Sequence, residues 1–262
     1  DRKGLAAALA IAERRRQHRT LPILGCVRLL ADDAANLQVE STDLETCWRV
    51  TVAAVAAEPG NVLVNGKALG AMLRSTTAKH VTLSAGDSGP LSIGADTVTT
   101  TLATESQADY PVLPRVTGGA VLSIGGADLQ TMIAQVAPFA SADDSRPALT
   151  RVVLSTCAGG AALQAFATDG FRLSVTERPL LAPAAAPWTG QVDADALRRL
   201  ARTAGIGAGH VDIAEAEVGT RRVVEFRVGQ ARMLATVHVD TPPDFERIMP
   251  HAFAADLVFD SV

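Results

Sequence analysis

The sequence predicts an α+β protein that contains two tandem copies of one fold. Segment 37–43 (LQVESTD) aligns with segment 163–169 (LQAFATD), and three further matches flank this pair in the same order. An offset between copies that changes only slowly is typical of a duplication with small loop insertions. Each copy also combines short strand patterns with two helical patterns, which favours antiparallel sheets with separate helices over a βαβ array.

The first copy begins with an alanine-rich helix over 5–16, because Leu5, Leu9 and Ala12 recur at helical spacing. Asn65 is a good helix N-cap, so a second helix is expected to follow it as far as about residue 74. The other segments with alternating apolar residues are predicted as strands: 23–30, 37–41, 46–52, 81–84, 91–93 and 98–102.

The second copy repeats this order. Helices are predicted over 128–137 and from 194 to about 203, the latter capped by Asp193 and ended by Gly205. The Ala/Pro-rich segment 180–188 is expected to be an exposed connection. Segments with the strand pattern are 121–124, 152–155, 163–167, 171–175, 211–214, 223–228 and 232–239.

The most distinctive stretch is a predicted hairpin whose turn is Asp169-Gly170. Gly accepts a positive φ and Asp bonds nearby backbone, so this pair favours a tight turn. We expect the exposed tip to carry Thr168, Phe171 and Arg172. A single hairpin of this kind is common, but the first copy repeats the same Thr-Asp pair.

Composition limits the class of protein. With 262 residues, of which 48% are hydrophobic, the chain is long enough for two domains with cores. No apolar run approaches the roughly 20 residues of a membrane span, so we expect no membrane partner. The three scattered cysteines are typical of a reducing compartment, and a cytoplasmic location is expected. The net charge of −4 argues against a simple nucleic-acid-coating protein but allows a local basic face.

No catalytic constellation is complete. The sequence lacks a full phosphate-binding loop, a dinucleotide fingerprint, a zinc-protease helix and a nucleophile elbow. The carboxylates of Asp43, Asp143, Asp144 and Asp169 leave a metal-dependent enzyme open as one hypothesis. Asp43 and Asp169 occupy equivalent turns, however, which favours turn formation. We therefore expect neither an enzyme nor a cofactor.

Basic residues cluster near the ends of three predicted helices. The clusters are Arg14, Arg15, Arg16, His18 and Arg19; Lys67 and Arg74; and Arg198, Arg199 and Arg202. Such residues often form a solvated face or complement a helix dipole. They also suit a surface that contacts phosphates without reading bases. The helix at 128–137 contains no Lys or Arg, which weakens this interpretation there.

Six motifs carry a resemblance to a known family. They follow the family's order over nearly the whole chain: 20–24 (TLPIL), 42–45 (TDLE), 109–114 (DYPVLP), 146–147 (RP), 167–173 (ATDGFRL) and 243–250 (PDFERIMP). On these motifs the chain resembles the bacterial sliding clamp, the beta subunit of the replicative DNA polymerase. The Thr-Asp-Gly-x-Arg-Leu element is the most specific of them.

The resemblance implies tandem repeats of the DNA-clamp fold, with helices inside and antiparallel sheets outside. The expected domains are 1–116, which lacks the family's opening strand, and 117–251, with the possible start of a third at 252–262. The implied function is a non-catalytic processivity factor that encircles duplex DNA regardless of sequence. Its implied partners are DNA polymerase and the clamp loader, bound through short peptides, and further copies that complete a six-domain ring.

The same resemblance assigns two sets of site residues. The DNA-facing set is Arg14, Arg15, His18, Arg19, Lys67, Arg74, Arg146, Arg198 and Arg202. The partner-peptide groove has Thr168, Gly170, Phe171, Arg172 and Leu173 on one side, and Pro243, Arg247, Ile248 and Met249 on the other.

The number of copies departs from the family, whose chains have three such domains. Two copies suit either a fragment of a three-domain clamp or a two-domain chain that reaches six domains as a trimer. An alternative is a clamp-fold module that serves as a ligand- or partner-binding domain of a larger regulatory protein.

Overall fold

The computed structural model of the 262-residue chain describes residues 1–13, 21–32, 36–55, 58–86, 89–203 and 205–238. The helices of the first copy are α1 (Arg2–Ala12) and α2 (Gly66–Ser75). Its strands are β1 (Cys26–Ala31), β2 (Asn36–Thr42), β3 (Thr46–Ala53), β4 (Gly60–Asn65), β5 (Thr82–Ser84), β6 (Leu91–Ala95), β7 (Val98–Leu102) and β8 (Thr104–Glu105).

The second copy follows the same order after one additional opening strand, β9 (Leu122–Gly125). Its helices are α3 (Gly126–Val136) and α4 (Ala194–Ala201). Its other strands are β10 (Arg151–Thr156), β11 (Ala162–Thr168), β12 (Leu173–Pro179), β13 (Thr189–Asp193), β14 (His210–Val218), β15 (Arg221–Val228) and β16 (Ala231–Val237).

One antiparallel sheet runs through both copies. Its nine strands have the order β8-β4-β1-β2-β3-β16-β15-β14-β9, so β3 of the first copy pairs with β16 of the second. At this seam Trp48 lies opposite Met233 and Arg49 lies opposite Arg232. The other sheets are β12-β11-β10-β13 and β5-β6-β7. The chain is therefore α+β with antiparallel sheets, as the sequence predicts.

The main core lies between the sheets and the four helices. Alternate residues of the long sheet point into it, including Trp48, Phe226 and Met233, which are at most 1% exposed. Leu9 of α1 and Ile133 of α3 enter the same core. Helices α1, α2 and α3 thus contact the long sheet, while α4 packs against β13 of the four-stranded sheet. This is expected from strands with one apolar face.

The opposite face of the long sheet is partly covered by the segment that connects the two copies, residues 110–118. Tyr110 and Leu113 form an apolar cluster with residues of β1 and β4. Val116 joins a second cluster beyond the seam, on β14, β15 and β16. The Arg227 guanidinium donates a hydrogen bond to the Gly118 carbonyl at 2.7 Å. This linker segment therefore spans the seam between the copies.

Several predicted helix limits agree with the structure. Asn65 and Asp193 are the N-caps of α2 and α4, and their side chains accept N–H groups of Ala68 and Ala196. The first helix begins at Arg2, earlier than predicted, because the Asp1 carboxylate caps it. It ends at Ala12, and the predicted extension beyond residue 13 lies outside the described residues.

Two predictions about irregular segments were wrong. The predicted strand 23–30 begins only at Cys26, because Pro22 opens a 3₁₀ turn that continues to Gly25. The connection 180–188 is not exposed throughout: Leu180 and Trp188 are both only 9% exposed. The Trp188 indole N–H donates to the Glu215 carboxylate, so this end of the connection is anchored.

The described residues include no helix that is both long and apolar enough to cross a membrane. The predicted third-domain start at 252–262 lies outside the described residues. The boundaries 1–116 and 117–251 stay a prediction.

Candidate nucleic-acid interface and peptide groove

The hairpin between β11 and β12 is fixed by two of its own side chains. Thr168 Oγ1 donates to the Arg172 carbonyl at 2.8 Å and accepts the Gly170 N–H at 3.0 Å. Asp169 Oδ1 accepts the N–H groups of Phe171 at 2.9 Å and Arg172 at 2.8 Å. Gly170 has a φ of 92°, which only glycine adopts without strain. The turn predicted at Asp169-Gly170 is confirmed.

The first copy contains the same turn between β2 and β3. Thr42 Oγ1 donates to the Thr46 carbonyl at 2.9 Å and accepts the Leu44 N–H at 3.0 Å. Asp43 Oδ1 accepts N–H groups of Glu45 at 3.2 Å and Thr46 at 2.7 Å. Leu44 has a φ of 74°, at the place of the glycine. The repeat is therefore preserved at the level of individual hydrogen bonds.

The two turns differ in what their second carboxylate oxygen meets. Asp169 Oδ2 accepts the guanidinium of Arg172 in its own turn, at 3.0 and 2.8 Å. Backbone N–H groups and this guanidinium lower the pKa of Asp169 to about 2. Asp43 Oδ2 lies 3.6 Å from the Arg199 guanidinium on α4 of the second copy. The first turn thus belongs to the junction between copies, and the second lies at the surface.

The second turn lies beside the segment that contains Phe139 and Leu149. Phe171 is 93% exposed at the tip of the turn. The Arg172 guanidinium carbon lies 5.5 Å from the centroid of the Phe139 ring, within cation–π distance. A Cβ placed on Gly170 would lie 3.9 Å from Leu149 Cδ1. The expectation that Thr168 is exposed was wrong, because its hydroxyl ties the turn together and the residue is only 6% exposed.

Phe139 and Leu149 were missed by the sequence analysis. Phe139 ends the 3₁₀ turn that follows α3, and Leu149 ends a second short 3₁₀ turn. The Ser141 N–H donates to the Leu149 carbonyl at 2.8 Å, which closes the loop between these turns toward the hairpin. A resemblance between Arg146-Pro147 and a family motif was the available signal for this region.

Of the remaining residues predicted to line the groove, the structure describes only Leu173. Leu173 is the half-buried first residue of β12. The second predicted wall lies outside the described residues: Pro243, Arg247, Ile248 and Met249.

The helix side of the molecule carries the described members of the predicted DNA-facing set. Lys67 and Arg74 are exposed on α2, and Arg202 is exposed just after α4. Arg146 is exposed in the loop beside the groove. Four further members lie outside the described residues: Arg14, Arg15, His18 and Arg19.

Arg198 has contacts that connect two helices. Its guanidinium pairs with Asp195 Oδ1 at 2.6 Å and also donates to the Ala137 carbonyl after α3. A phosphate would compete with these contacts. Arg2, which sequence analysis missed, makes a related contact on the first copy, donating to the carbonyls of Leu73 and Ala78 at 3.0 and 2.8 Å.

The exposed face of α3 has no Lys or Arg, as its sequence predicts, and its one charged side chain, Asp128, is 46% exposed. Its exposed residues are Ala127, Gln130, Thr131, Ala134 and Gln135. The Gln130 amide donates to the Ala201 carbonyl, and Gln135 accepts hydrogen bonds from β12. The basic surface therefore comes from α2 and α4 in the described part.

The hypothesis of a carboxylate metal site has little geometric support. Across the described ranges, no three His, Cys, Asp or Glu side chains are grouped so that they could hold a metal ion. Asp43 and Asp169 lie in separate turns, and each accepts N–H groups of its own turn.

The sequence is similar to one known protein family. The model of the DNA polymerase III beta subunit N-terminal domain matches residues 1–114. The beta sliding clamp of Micrococcus luteus is 32% identical over 157 residues, which are 60% of this chain and 49% of that protein. The Synechocystis clamp is 26% identical over 278 residues, covering 98% of this chain and 69% of that protein.

Solved structures show the same fold. The DNA polymerase III beta subunit of Pseudomonas aeruginosa superposes with a TM-score of 0.85 at 25% identity. The match covers 96% of this chain and 67% of that one. The alignment with the Micrococcus protein spans only about half of that relative's length, 49%.

Proposed function

We propose that this chain, which belongs to the DNA polymerase III beta subunit family, acts as a sliding clamp that encircles duplex DNA and tethers polymerase to it. The sheet that continues from one copy into the next is the observation that carries this proposal. Repeated domains can close into a ring when the same pair of strands joins each domain to the next. The clamp itself performs no chemical step and acts in the cytoplasm.

Two strand edges support ring assembly. In the described part, β7 and β12 each lie at the edge of a sheet. By the repeat, β7 corresponds to β16 and β12 corresponds to β3, the two strands that pair at the internal seam. An unpaired edge is a template for another strand. A further copy of the fold would therefore extend each edge as β16 extends β3.

The charged residues support the orientation of the ring. Lys67 and Arg74 are exposed on α2 and Arg202 just after α4, so all three belong to the helical part of the molecule. Cations that contact phosphates without reading bases suit a protein that moves along DNA regardless of sequence. We assign these three residues, with Arg146, to the DNA side. Arg198 contributes there only when its contacts with Asp195 open.

Topological retention on DNA tests this function. The full-length protein is loaded on nicked circular plasmid by its loader, and a clamp should stay bound until the plasmid is linearised. Arg202→Glu should shorten retention, most strongly at low salt. Arg221→Glu is the matched control, because it makes the same charge change on the opposite face of the long sheet. Equal release from circular and linear DNA would contradict the proposal.

The groove at the second hairpin is assigned to partner peptides. Leu149, Gly170 and Phe171 supply an apolar surface, and Arg172 supplies a charge at its rim. Such a site suits a short extended peptide of the polymerase or the loader with apolar anchors. Arg172→Ala should weaken binding of a polymerase-derived peptide severalfold, as read by fluorescence anisotropy, while Arg221→Ala should not. An unchanged affinity for Arg172→Ala would remove the assignment.

The lack of Lys and Arg on α3 favours one second candidate, a clamp-fold module that binds partners without encircling DNA. Besides Thr131, the exposed residues of α3 are two alanines, Ala127 and Ala134, and two glutamines, Gln130 and Gln135. Peptide binding without retention on circular DNA would identify this module. Retention that ends on linearisation would exclude it.

A further inference from the structure

A row of charged residues crosses the face of the long sheet that lies opposite the helices. Neighbours in this row are direct register partners on adjacent strands. From β1 to β15 they are Arg28, Glu40, Arg49, Arg232 and Arg227. We call them, with Arg115 of the linker segment and Glu225 of β15, the arginine row.

On the first-copy side, three guanidinium groups share one buried carboxylate. Glu40 Oε1 accepts Arg49 Nε at 2.6 Å and Arg115 Nη2 at 3.3 Å. Glu40 Oε2 accepts Arg28 Nε at 2.9 Å. Burial raises the pKa of Glu40, but Arg49 and Arg28 outweigh this effect and lower the net pKa. One negative charge is therefore set against three positive charges.

On the second-copy side, two guanidinium groups share one buried carboxylate oxygen. Glu225 Oε1 accepts Arg227 Nε at 2.7 Å and lies 3.4 Å from Arg232 Nη1. Across the seam Arg232 lies directly opposite Arg49. Like charges at opposed positions of an antiparallel pair destabilise it. The arginine row has five arginines for two glutamates, and Asp212 on β14, the register partner of Arg227, adds one carboxylate at its end. The chain as a whole has a net charge of −4.

Part of this surplus charge is accessible. The side chains of Arg115 and Arg232 are 52% and 47% exposed. Adjacent strands are about 4.8 Å apart, so arginines on neighbouring or alternate strands are spaced by roughly 5–10 Å. Alternate residues of an extended peptide are about 7 Å apart, which matches this spacing. Because a single exposed ion pair contributes little, a ligand with several linked negative charges fits better than one small anion.

We propose that the arginine row is a docking surface for an acidic, extended segment of a partner protein. Nucleic acid fits less well, because single strands bind on aromatic stacking platforms. The aromatic ring at the row, Tyr110, is 5% exposed and lies beneath the Arg28 guanidinium. The surface is separate from the peptide groove and from the helix side, so it does not depend on the proposed clamp function.

Charge reversal with a defined probe tests the docking surface. The full chain is titrated against a fluorescein-labelled oligoglutamate peptide, and binding is read by fluorescence anisotropy at low and moderate salt. Arg115→Glu with Arg232→Glu should weaken binding about tenfold or more, because several linked ion pairs are lost together. Lys79→Glu with Arg221→Glu makes the same change of charge at exposed positions outside the row and outside the proposed DNA side, and should leave the affinity within about threefold.

One milder variant and two further measurements distinguish loss of binding from loss of folding and identify the class of ligand. Thermal unfolding reports whether the reversed variant is folded, and Arg115→Gln with Arg232→Gln gives a milder variant that should also lose affinity. Competition with oligothymidylate distinguishes the class of ligand. The proposal is overturned when both charge-reversed double variants weaken peptide binding equally or when the peptide does not bind. It is also overturned when oligothymidylate displaces the labelled peptide at a lower concentration than unlabelled oligoglutamate does.

Discussion

The ion pair between Asp43 and Arg199 gives the sharpest test of how the two copies are joined. Asp43 is 1% exposed in the β2–β3 turn, and its Oδ2 lies 3.6 Å from the Arg199 guanidinium of the other copy. The substitution Asp43→Asn keeps the shape of the side chain. It also keeps the Oδ1 acceptor for the N–H groups of Glu45 and Thr46. It therefore removes mainly the charge that faces Arg199.

The expected loss of stability follows from burial and distance. Removing one partner of a buried pair costs about 3–5 kcal/mol. The separation of 3.6 Å and the 16% exposure of the Arg199 side chain weaken this pair, so we expect a cost at or below the lower end of that range. We expect Asp43→Asn to cost about 2–3 kcal/mol, which lowers Tm by roughly 5–10 °C for a chain of this size. Differential scanning calorimetry measures this shift.

The equivalent turn of the second copy supplies the matched control. Asp169 makes the same Oδ1 contacts, but its second oxygen meets Arg172 of its own exposed turn. Asp169→Asn should therefore lower Tm by clearly less than Asp43→Asn. In combination with Arg199→Met, Asp43→Asn should cost less than the sum of the two single changes, because they remove one shared interaction. Equal Tm shifts for the two Asp→Asn variants would refute the reasoning.

Three other outcomes follow from local geometry. Gly170→Ala should lower the free energy of unfolding in urea by about 1 kcal/mol, because φ is 92° at this position. Leu44→Gly at the equivalent position should leave it unchanged or raise it by up to about 1 kcal/mol, so destabilisation by both variants would contradict the reasoning. Backbone N–H groups and Arg172 hold the pKa of Asp169 at about 2, so the stabilising effect of this carboxylate is present above about pH 4 and is lost as pH falls toward 2. An NMR titration of the Arg172→Gln variant should show a higher pKa for Asp169, and an unchanged pKa would exclude the contribution of Arg172. Burial raises the pKa of Cys47 to about 11, so iodoacetamide at neutral pH should modify Cys47 only after denaturation, and rapid modification of the folded protein would contradict its burial.

Local sequence predicts the elements best where short-range chemistry decides them. Asn65 and Asp193 mark helix starts because an N-cap bonds only to the next turn of the chain. The Asp169-Gly170 turn is equally local, since its hydrogen bonds all close within five residues. The strand at 23–30 was misjudged because Pro22 permits both a strand edge and the observed 3₁₀ turn. Apolar alternation alone does not distinguish these.

Contacts between distant segments carry no comparable signal in one sequence. Phe139 and Leu149 lie close to Arg172 and Gly170 only because the segment after α3 folds back toward the second hairpin. Trp188 is buried because Glu215, far along the chain, accepts its indole N–H. Arg199 was grouped with the basic residues of α4 because its partner Asp43 lies in the other copy. The predicted DNA-facing and groove residues otherwise stay predictions.

One substitution separates the roles of the two equivalent hairpins. The first copy has Thr46 where the second has Arg172, in turns whose backbone hydrogen bonds match. Because Thr46 cannot neutralise Asp43, that carboxylate is available to Arg199 of the neighbouring copy. Arg172 neutralises its own Asp169, so the second turn needs no neighbouring cation and its tip stays open to solvent. The same duplicated turn thus contacts the neighbouring copy in one place and presents an exposed tip in the other.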